Sequence, residues 1–395
     1  MFAFSGKIES SKSWMNRALV IQHYNPLLEV SGQSASEDVL HLQNALLALK
    51  ENRSEFFVGD GGTTFRFLAL MLSRKAGVWT IRTSERLLQR PHSELKKIFE
   101  QLSVSIFFEK DNVIIRSAGW KIPPKIMCSA DVSSQFVTGL LLNCWQLPSD
   151  VVVEIKKPIV SEKYLLMSVE MLKRVGMQLQ ITDTDEVLVC KILRSQIPKS
   201  VNPLVAEPDM SSAFALAAAA VVAGQAKLEN WPQSSLQPDF IFLEVLKIMN
   251  ICFDLSLGTL QIKKHQHWAA LEFDLKNTPD LFPVLSVLCA LAQGVSYLYG
   301  AENLKSKESD RMTKTIQLLK VCGYKTEMRN GGLVIYGQSS KIDHQQSLDF
   351  DPDQDHRMAM AAGIFKLSGY NITIKNPEVV RKSYPAFWED IQVLK

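Results

Sequence analysis

Short polar clusters that lead straight into apolar runs recur along this chain. They are SSKSWMNRALVIQ (Ser10–Gln22), GGTTFRFLALML (Gly61–Leu72), VSSQFVTGLLLN (Val132–Asn143), DMSSAFALAAAA (Asp209–Ala220), TPDLFPVLSVLCALA (Thr278–Ala292) and QDHRMAMAAGIF (Gln354–Phe365). With Ser13, Thr63, Ser133, Ser211, Asp280 and His356 as markers, the intervals are 50, 70, 78, 69 and 76 residues. Small hydroxyl and carboxylate side chains accept hydrogen bonds from the free N–H groups of a helix start, so each cluster predicts a capped helix. Between them, Val151–Ile155 and Gly332–Tyr336 are rich in β-branched residues and predict strands, while Leu95–Leu102 and Phe242–Met249 have helical spacing. That alternation predicts an α/β or α+β protein. Ile197–Pro208, with three prolines among polar residues, is the nearest thing to a domain boundary.

At 395 residues the chain is longer than one hydrophobic core usually serves, which predicts two domains or more. With 46% hydrophobic and 22% charged residues it is ordinary globular material, not collagen-like, disordered or a disulfide scaffold. Lys and Arg total 44 against 41 Asp and Glu, and a net charge of +3 excludes a general binder of nucleic acid or membrane surfaces. Any anion site must therefore gather a few cations locally. The six cysteines, Cys128, Cys144, Cys190, Cys252, Cys289 and Cys322, are far apart and mostly beside apolar residues, which predicts buried free thiols in a reducing compartment. Phe2-Ala3-Phe4 is too short for the apolar region of a signal peptide, and Ala213–Ala223 and Leu281–Ala292 are about half a membrane span. A cytoplasmic protein is expected.

Cations sit inside the first turns of several predicted helices: Lys12, Arg17, Arg66 and Arg357. A helix N-terminus already carries the positive end of its dipole, so a cation there opposes helix stability and favours an anion site instead. Ser11-Lys12-Ser13 with Asn16 and Arg17 suits two separate anionic groups, because Lys12 and Arg17 do not share one face closely. Gly59–Thr64 is a glycine-rich turn without the Gly-Lys-Ser/Thr of a Walker loop. Ser133-Ser134-Gln135 suits a polyhydroxylated or phosphorylated ligand, although each cluster seen alone also reads as an ordinary cap. Taken alone, the charge run Lys307–Arg311 reads as a solvated helix face, Asp355-His356-Arg357 as structural, and His265-Gln266-His267 as surface without metal-ligand spacing.

Seven motifs in order carry a more specific signal: SKSWMNRAL (Ser11–Leu19), GDGGTTFR (Gly59–Arg66), QRP (Gln89–Pro91), SSQF (Ser133–Phe136), KESDR (Lys307–Arg311), DHRMAM (Asp355–Met360) and KSYPAFWEDI (Lys382–Ile391). Together, over essentially the whole chain, they resemble the 5-enolpyruvylshikimate-3-phosphate synthases (3-phosphoshikimate 1-carboxyvinyltransferases) among the enolpyruvyl transferases. The resemblance implies a two-domain inside-out α/β barrel, each domain built from three βαβαββ units whose helix N-termini face an interdomain cleft. It implies one domain over 11–206, mainly on the shikimate 3-phosphate side, and a second over 1–10 plus 207–395 that supplies Asp280, Glu308, Arg311, Arg357 and Lys382. The crossovers are expected near Ser10–Lys12 and near Val205–Asp209.

By motif position the resemblance implies that Lys12, Gly62, Arg90, Gln135, Arg311, Arg357 and Lys382 bind phosphoenolpyruvate. Shikimate 3-phosphate is implied to meet Ser13, Arg17, Ser133, Ser134, Gln135, Ser161, Tyr164, Asp280, Asn303 and Lys307. Glu308 is implied to protonate the methylene carbon, Asp280 to accept the hydroxyl proton, and Lys12 to stabilise negative charge. No metal or organic cofactor is implied, the partners are the two small molecules without nucleic acid or membrane, and a monomer is expected. Glyphosate, the family's inhibitor, is expected to compete with phosphoenolpyruvate, because Gly62 is not replaced by Ala. The chain departs from the family at Glu9-Ser10-Ser11, where Pro-Gly-Ser is usual, at Asp60, at Phe67 and at Pro208. Two alternatives stand beside this reading: a non-catalytic relative that binds a phosphorylated ligand, and enolpyruvyl transfer to a UDP-amino sugar.

Overall fold

The β-branched runs pair locally into four sheets of one design, seen in a computed structural model that describes residues 2–338 and 346–392. The chain divides into two units, here called the first (Ser10–Ala206) and the second (Met1–Glu9 with Glu207–Lys395). In the first unit, strands Glu55–Phe57 and Gly77–Arg82 are parallel, and the hairpin Ser105–Phe108 and Asn112–Ser117 adds antiparallel to Gly77–Arg82. Strands Ile126–Ser129 and Val151–Lys156 with the hairpin Leu179–Asp183 and Val187–Ile192 repeat that order. In the second unit Phe2–Gly6 pairs parallel with Gly224–Leu228, and Phe253–Ser256 with Thr259–Lys263 closes the sheet. Glu272–Asp274, Val295–Tyr299, Thr326–Arg329 and Gly332–Tyr336 form the fourth. A parallel pair needs a long crossover; a helix supplies it in three of these sheets, whereas between Phe2–Gly6 and Gly224–Leu228 the chain passes through the whole first unit before the helix Met210–Ala223.

Each unit holds a third repeat that is shorter than the expected βαβαββ. Leu204–Val205 pairs with Val30–Ser31, and Leu348–Phe350 with Ile372–Ile374, both parallel and without a hairpin. In the first unit the reason is length. Only residues 51–54 separate the helix Glu37–Lys50 from the next repeat's first strand, too few for two more strands.

The six apolar runs form the first helices of these repeats: Lys12–Tyr24, Gly62–Ser73, Gln135–Leu142, Met210–Ala223, Phe282–Leu291 and His356–Leu367. Apart from Lys12–Tyr24, whose two ends are polar and half-buried, they are largely apolar on all sides and belong in the interior. In Gly62–Ser73 every residue but Thr63 is buried, and in Met210–Ala223 every residue but Ala223. The alanines of Met210–Ala223 let it pack closely with Phe282–Leu291 and His356–Leu367 in one core. Four of the six caps fall one or two residues before the markers, at Ser11, Gly61, Asp209 and Asp355, whereas Ser134 and Leu281 fall one residue after them. Ser11 Oγ accepts from Trp14 N, Asp209 from Ser212 N and Asp355 from Arg357 N, whereas Gly61 and Ser134 contribute no side-chain cap bond. Ahead of Phe282, a 3-10 turn Pro279–Leu281 carries Asp280. Five of the six cysteines are buried thiols and Cys252 is exposed. Among the described residues no helix is long and apolar enough to cross a membrane.

Candidate active site

In the first unit, cations converge on the start of the helix Gly62–Ser73. Lys12 Nζ lies 2.9 Å from Asp38 Oδ2, and Asp38 sits in the first turn of Glu37–Lys50. A Cβ added at Gly61 would lie 2.8 Å from Asp38 Oδ1. One added at Gly62 would lie 2.7 Å from Arg90 Nη1 and 2.9 Å from Arg66 Nη1. A methyl here would push aside the ends of two guanidinium groups, which occupy the space it would take. Arg66 is buried, donates to Gln135 Oε1 and lies over the Phe136 ring at 4.5 Å. Arg90 is presented by a turn whose Leu87 carbonyl accepts both from Arg90 N (3.2 Å) and from His92 Nε2 (2.8 Å). Burial, reinforced by Arg66, pushes His92 down to about 4, so its ring is neutral at physiological pH.

A second group in the same unit surrounds Arg17. Its Nε donates to Ser168 Oγ at 2.7 Å, Nη1 to the Ser13 carbonyl at 2.6 Å and Nη2 to the Tyr164 carbonyl at 3.3 Å. Phe67 and Tyr164 rings flank the guanidinium at 5.6 and 6.0 Å. All three hydrogen-bond partners are neutral, and Arg17 is only 2% exposed. Burial therefore lowers its pKa to about 10. Ser134 Oγ donates to the Ser161 carbonyl at 3.3 Å, and Ser133 Oγ accepts from Gln135 N at 3.3 Å. Ser161 adopts the left-handed region at φ 54°, a conformation that costs a non-glycine residue on the order of 1 kcal/mol and often marks a functional site.

The second unit concentrates charge of both signs. Arg311 is 1% exposed and holds three carboxylates: Asp355 through Nε at 2.8 Å, Asp280 through Nη1 at 2.7 Å and Glu308 through Nη2 at 2.8 Å. Asp280 also meets Arg357 at 2.7 Å and Lys307 at 3.5 Å. Burial by itself raises the Asp280 pKa, but Arg357, Lys307 and Arg311 outweigh it and hold the carboxyl well below the usual range. For Arg311, burial favours the neutral form, but Asp355, Glu308 and Asp280 outweigh it and keep the cation charged. The charge run Lys307–Arg311 is thus not a solvated face: Ser309 and Arg311 are buried, and Ser309 Oγ donates to Asp355 Oδ2 at 3.0 Å. Lys382 Nζ donates to the Gln354 carbonyl at 3.0 Å, next to Asp355 in the chain. Asn303 lies in the 3-10 turn Glu302–Ser306 just ahead of Lys307.

Three sets therefore form within the units: Lys12, Gly62, Arg90 and Gln135; Ser13, Arg17, Ser133, Ser134, Ser161 and Tyr164; and Asp280, Lys307, Glu308, Arg311 and Arg357. Sequence reasoning missed Asp38 and Asp355 as ion partners, and Ser168 entirely. Asp355 was open to discovery as a helix cap, but nothing in the chain links Asp38 to Lys12, 26 residues away. In the His265 ring, Nδ1 faces the Lys263 carbonyl at 2.9 Å and Nε2 accepts from Cys252 N at 3.0 Å. Among the described residues no group of three or more His, Cys, Asp or Glu could hold a metal ion.

The family model of EPSP synthase (3-phosphoshikimate 1-carboxyvinyltransferase) matches residues 7–391. A 3-phosphoshikimate 1-carboxyvinyltransferase of Bacteroides fragilis is 28% identical over 393 residues, 98% of this chain and 94% of that protein. One from Methanocorpusculum labreanum is 29% identical over 336 residues, 85% of this chain and 77% of that protein. The solved EPSP synthase of Acinetobacter baumannii matches with a TM-score of 0.73 at 21% identity, covering 99% of this chain and 95% of that one. The enolpyruvyl transferase NikO of Streptomyces tendae matches with the same TM-score at 14% identity, covering 99% and 94%. Equal scores for two different proteins show the shared fold alone. The sequence match from residue 7 to 391 goes further: the chain belongs to the EPSP synthase (3-phosphoshikimate 1-carboxyvinyltransferase) family.

Proposed function

We propose that the chain transfers the enolpyruvyl group of phosphoenolpyruvate to the 5-hydroxyl of shikimate 3-phosphate and releases phosphate, a step of aromatic amino acid biosynthesis. The observation that carries this reading is the second unit's cluster. Two carboxylates, Asp280 and Glu308, share one buried arginine, and Arg357 and Lys307 stand beside them. An addition–elimination on an enol needs one group to protonate carbon, another to accept a hydroxyl proton, and cations for the phosphate and carboxylate. The two substrates carry roughly −5 to −6 charges together, which a chain of small net charge can hold only with clustered cations.

In this reading Glu308 donates a proton to the methylene carbon as the substrate hydroxyl attacks the adjacent carbon, and Asp280 takes the hydroxyl proton. Glu308 then recovers the carbon proton while the C–O bond to phosphate breaks and the enol double bond re-forms. Asp280 held low by three cations is a poor base, so the role requires those cations to turn toward the substrates' anionic oxygens. Lys12, Gly62, Arg90, Gln135, Arg311, Arg357 and Lys382 bind phosphoenolpyruvate. Ser13, Arg17, Ser133, Ser134, Gln135, Ser161, Tyr164, Asp280, Asn303 and Lys307 bind shikimate 3-phosphate. The first unit then carries mainly the shikimate 3-phosphate contacts, and the second supplies the acid–base pair. Arginine's fork suits such planar anions because it donates two parallel hydrogen bonds.

Lys12, Asp280, Glu308 and Arg311 are all retained, which weighs against a non-catalytic relative. Lys12 is followed by Ser13 and no cysteine lies in 61–90, which weighs against a UDP-amino sugar as acceptor. The free buried thiols support a reducing, cytoplasmic location, and we read the protein as a monomer. Phosphate release measured with both substrates tests the whole reading. Release that depends on phosphoenolpyruvate and shikimate 3-phosphate together is expected; no release at millimolar concentrations of each would end it.

A further inference from the structure

We infer that Ser168, which lies outside every substrate-contact set above, is the positioning residue that keeps Arg17 both oriented and electrostatically available to an anion. The inference rests on the proposed binding of shikimate 3-phosphate. Ser168 sits on the helix Glu162–Arg174, fully buried, one turn after Tyr164. Its hydroxyl donates to the Tyr164 carbonyl at 2.9 Å, the usual back-bond of a serine inside a helix. With its only proton spent there, the oxygen offers a lone pair to Arg17 Nε at 2.7 Å, while Arg17 Nη2 reaches the same Tyr164 carbonyl at 3.3 Å.

Ser168 Oγ and Tyr164 O thus occupy one edge of the guanidinium as a carboxylate's two oxygens would. Arg311 shows the charged version of that geometry. Its Nε and Nη2 meet the two oxygens of Asp355 at 2.8 and 3.4 Å. The difference is that the pair on Arg17 is neutral. It fixes the fork's direction and leaves the positive charge uncompensated in a buried place, where an anion gains the most. The Ser13 carbonyl fixes the third nitrogen. The same bonds run on from Tyr164 N to the Ser161 carbonyl at 3.0 Å and from Ser134 Oγ to that carbonyl. Ser168 is therefore where the helix carrying Arg17 is tied to the helix carrying Tyr164.

The test compares wild type, Ser168→Ala and Ser168→Thr in the full chain. Shikimate 3-phosphate binding is read by titration calorimetry, phosphoenolpyruvate KM by phosphate release, and folding by the thermal midpoint. A hydrogen bond to a charged group predicts a Kd for shikimate 3-phosphate raised about tenfold or more in Ser168→Ala, with phosphoenolpyruvate KM within about twofold. Ser168→Thr, which keeps the hydroxyl, is expected to bind within about threefold of wild type. Unchanged affinity in Ser168→Ala, equal losses for both substrates, or Ser168→Thr with a wild-type midpoint and Ser168→Ala affinity would each overturn the role. Wild type that fails to bind shikimate 3-phosphate removes the functional reading, and this inference with it.

Discussion

Replacing Gly62 by alanine separates the substrate sites most cleanly. The new Cβ would stand 2.7 Å from Arg90 Nη1, 3.1 Å from Arg90 Cζ and 2.9 Å from Arg66 Nη1. Ordinary van der Waals contact begins near 3.4 Å, so the Arg90 guanidinium must retreat by about 0.7 Å or re-aim its fork. The backbone does not resist the change, since Gly62 is the first residue of a helix and lies outside the left-handed region, a conformation alanine adopts without strain. Folding stability should therefore stay within about 1 kcal/mol of wild type. A charge-assisted hydrogen bond lost to a substrate oxygen is worth about 1.5–3 kcal/mol, which predicts a phosphoenolpyruvate KM raised by roughly 10- to 100-fold. Shikimate 3-phosphate, held around Arg17, should keep its affinity within about threefold. Phosphate release at varied concentrations of each substrate, with urea unfolding alongside, reads all three quantities. A phosphoenolpyruvate KM within twofold of wild type, or equal weakening of both substrates, would refute the assignment of Arg90 and Gly62 to that anion.

Glu308→Gln and Lys12→Met should each lower turnover by at least roughly 10²-fold with the fold intact, by loss of proton transfer and of charge stabilisation respectively; near-normal rates would dismiss those roles. Asp355→Asn removes the buried counter-charge from Arg311 and should cost about 3 kcal/mol in urea unfolding; a change under 1 kcal/mol would show that Asp280 and Glu308 suffice. His92 is held neutral in the fold with a pKa of about 4 against about 6.5 unfolded, so the unfolded chain binds more protons between those values. Its contribution is complete above about pH 6.5 and falls as pH drops toward 4, by about 2 kcal/mol at pH 5. His92→Gln should flatten unfolding free energy against pH by that amount, and an unchanged slope would contradict it. Asp280, depressed by its three cations, acts with the same sign in a lower range: its contribution is present above about pH 4 and is lost as pH falls further.

Much of the architecture was open to a reader of the chain alone because it is written in local periodicity. A run such as GGTTFRFLALML has no polar face, so it had to be an interior helix, and Val151–Ile155 had to be a strand. The motifs likewise carried the family, since spacing along a chain survives in sequence. Ion pairing did not. Lys307–Arg311 reads as surface by composition, and only tertiary packing closes Asp280, Glu308 and Asp355 around Arg311. Asp38 reaches Lys12 from another helix, and Ser168 reaches Arg17 across 151 positions. Periodicity reports which face of an element is apolar, whereas the charge a buried group feels depends on neighbours that the fold brings from anywhere in the chain. The sequence by itself thus determined the elements and the kinds of side chain at their starts. The tertiary structure alone decided which of those charges meet, and that the hydrogen bonds of Arg17 go to neutral oxygens while those of Arg311 go to carboxylates.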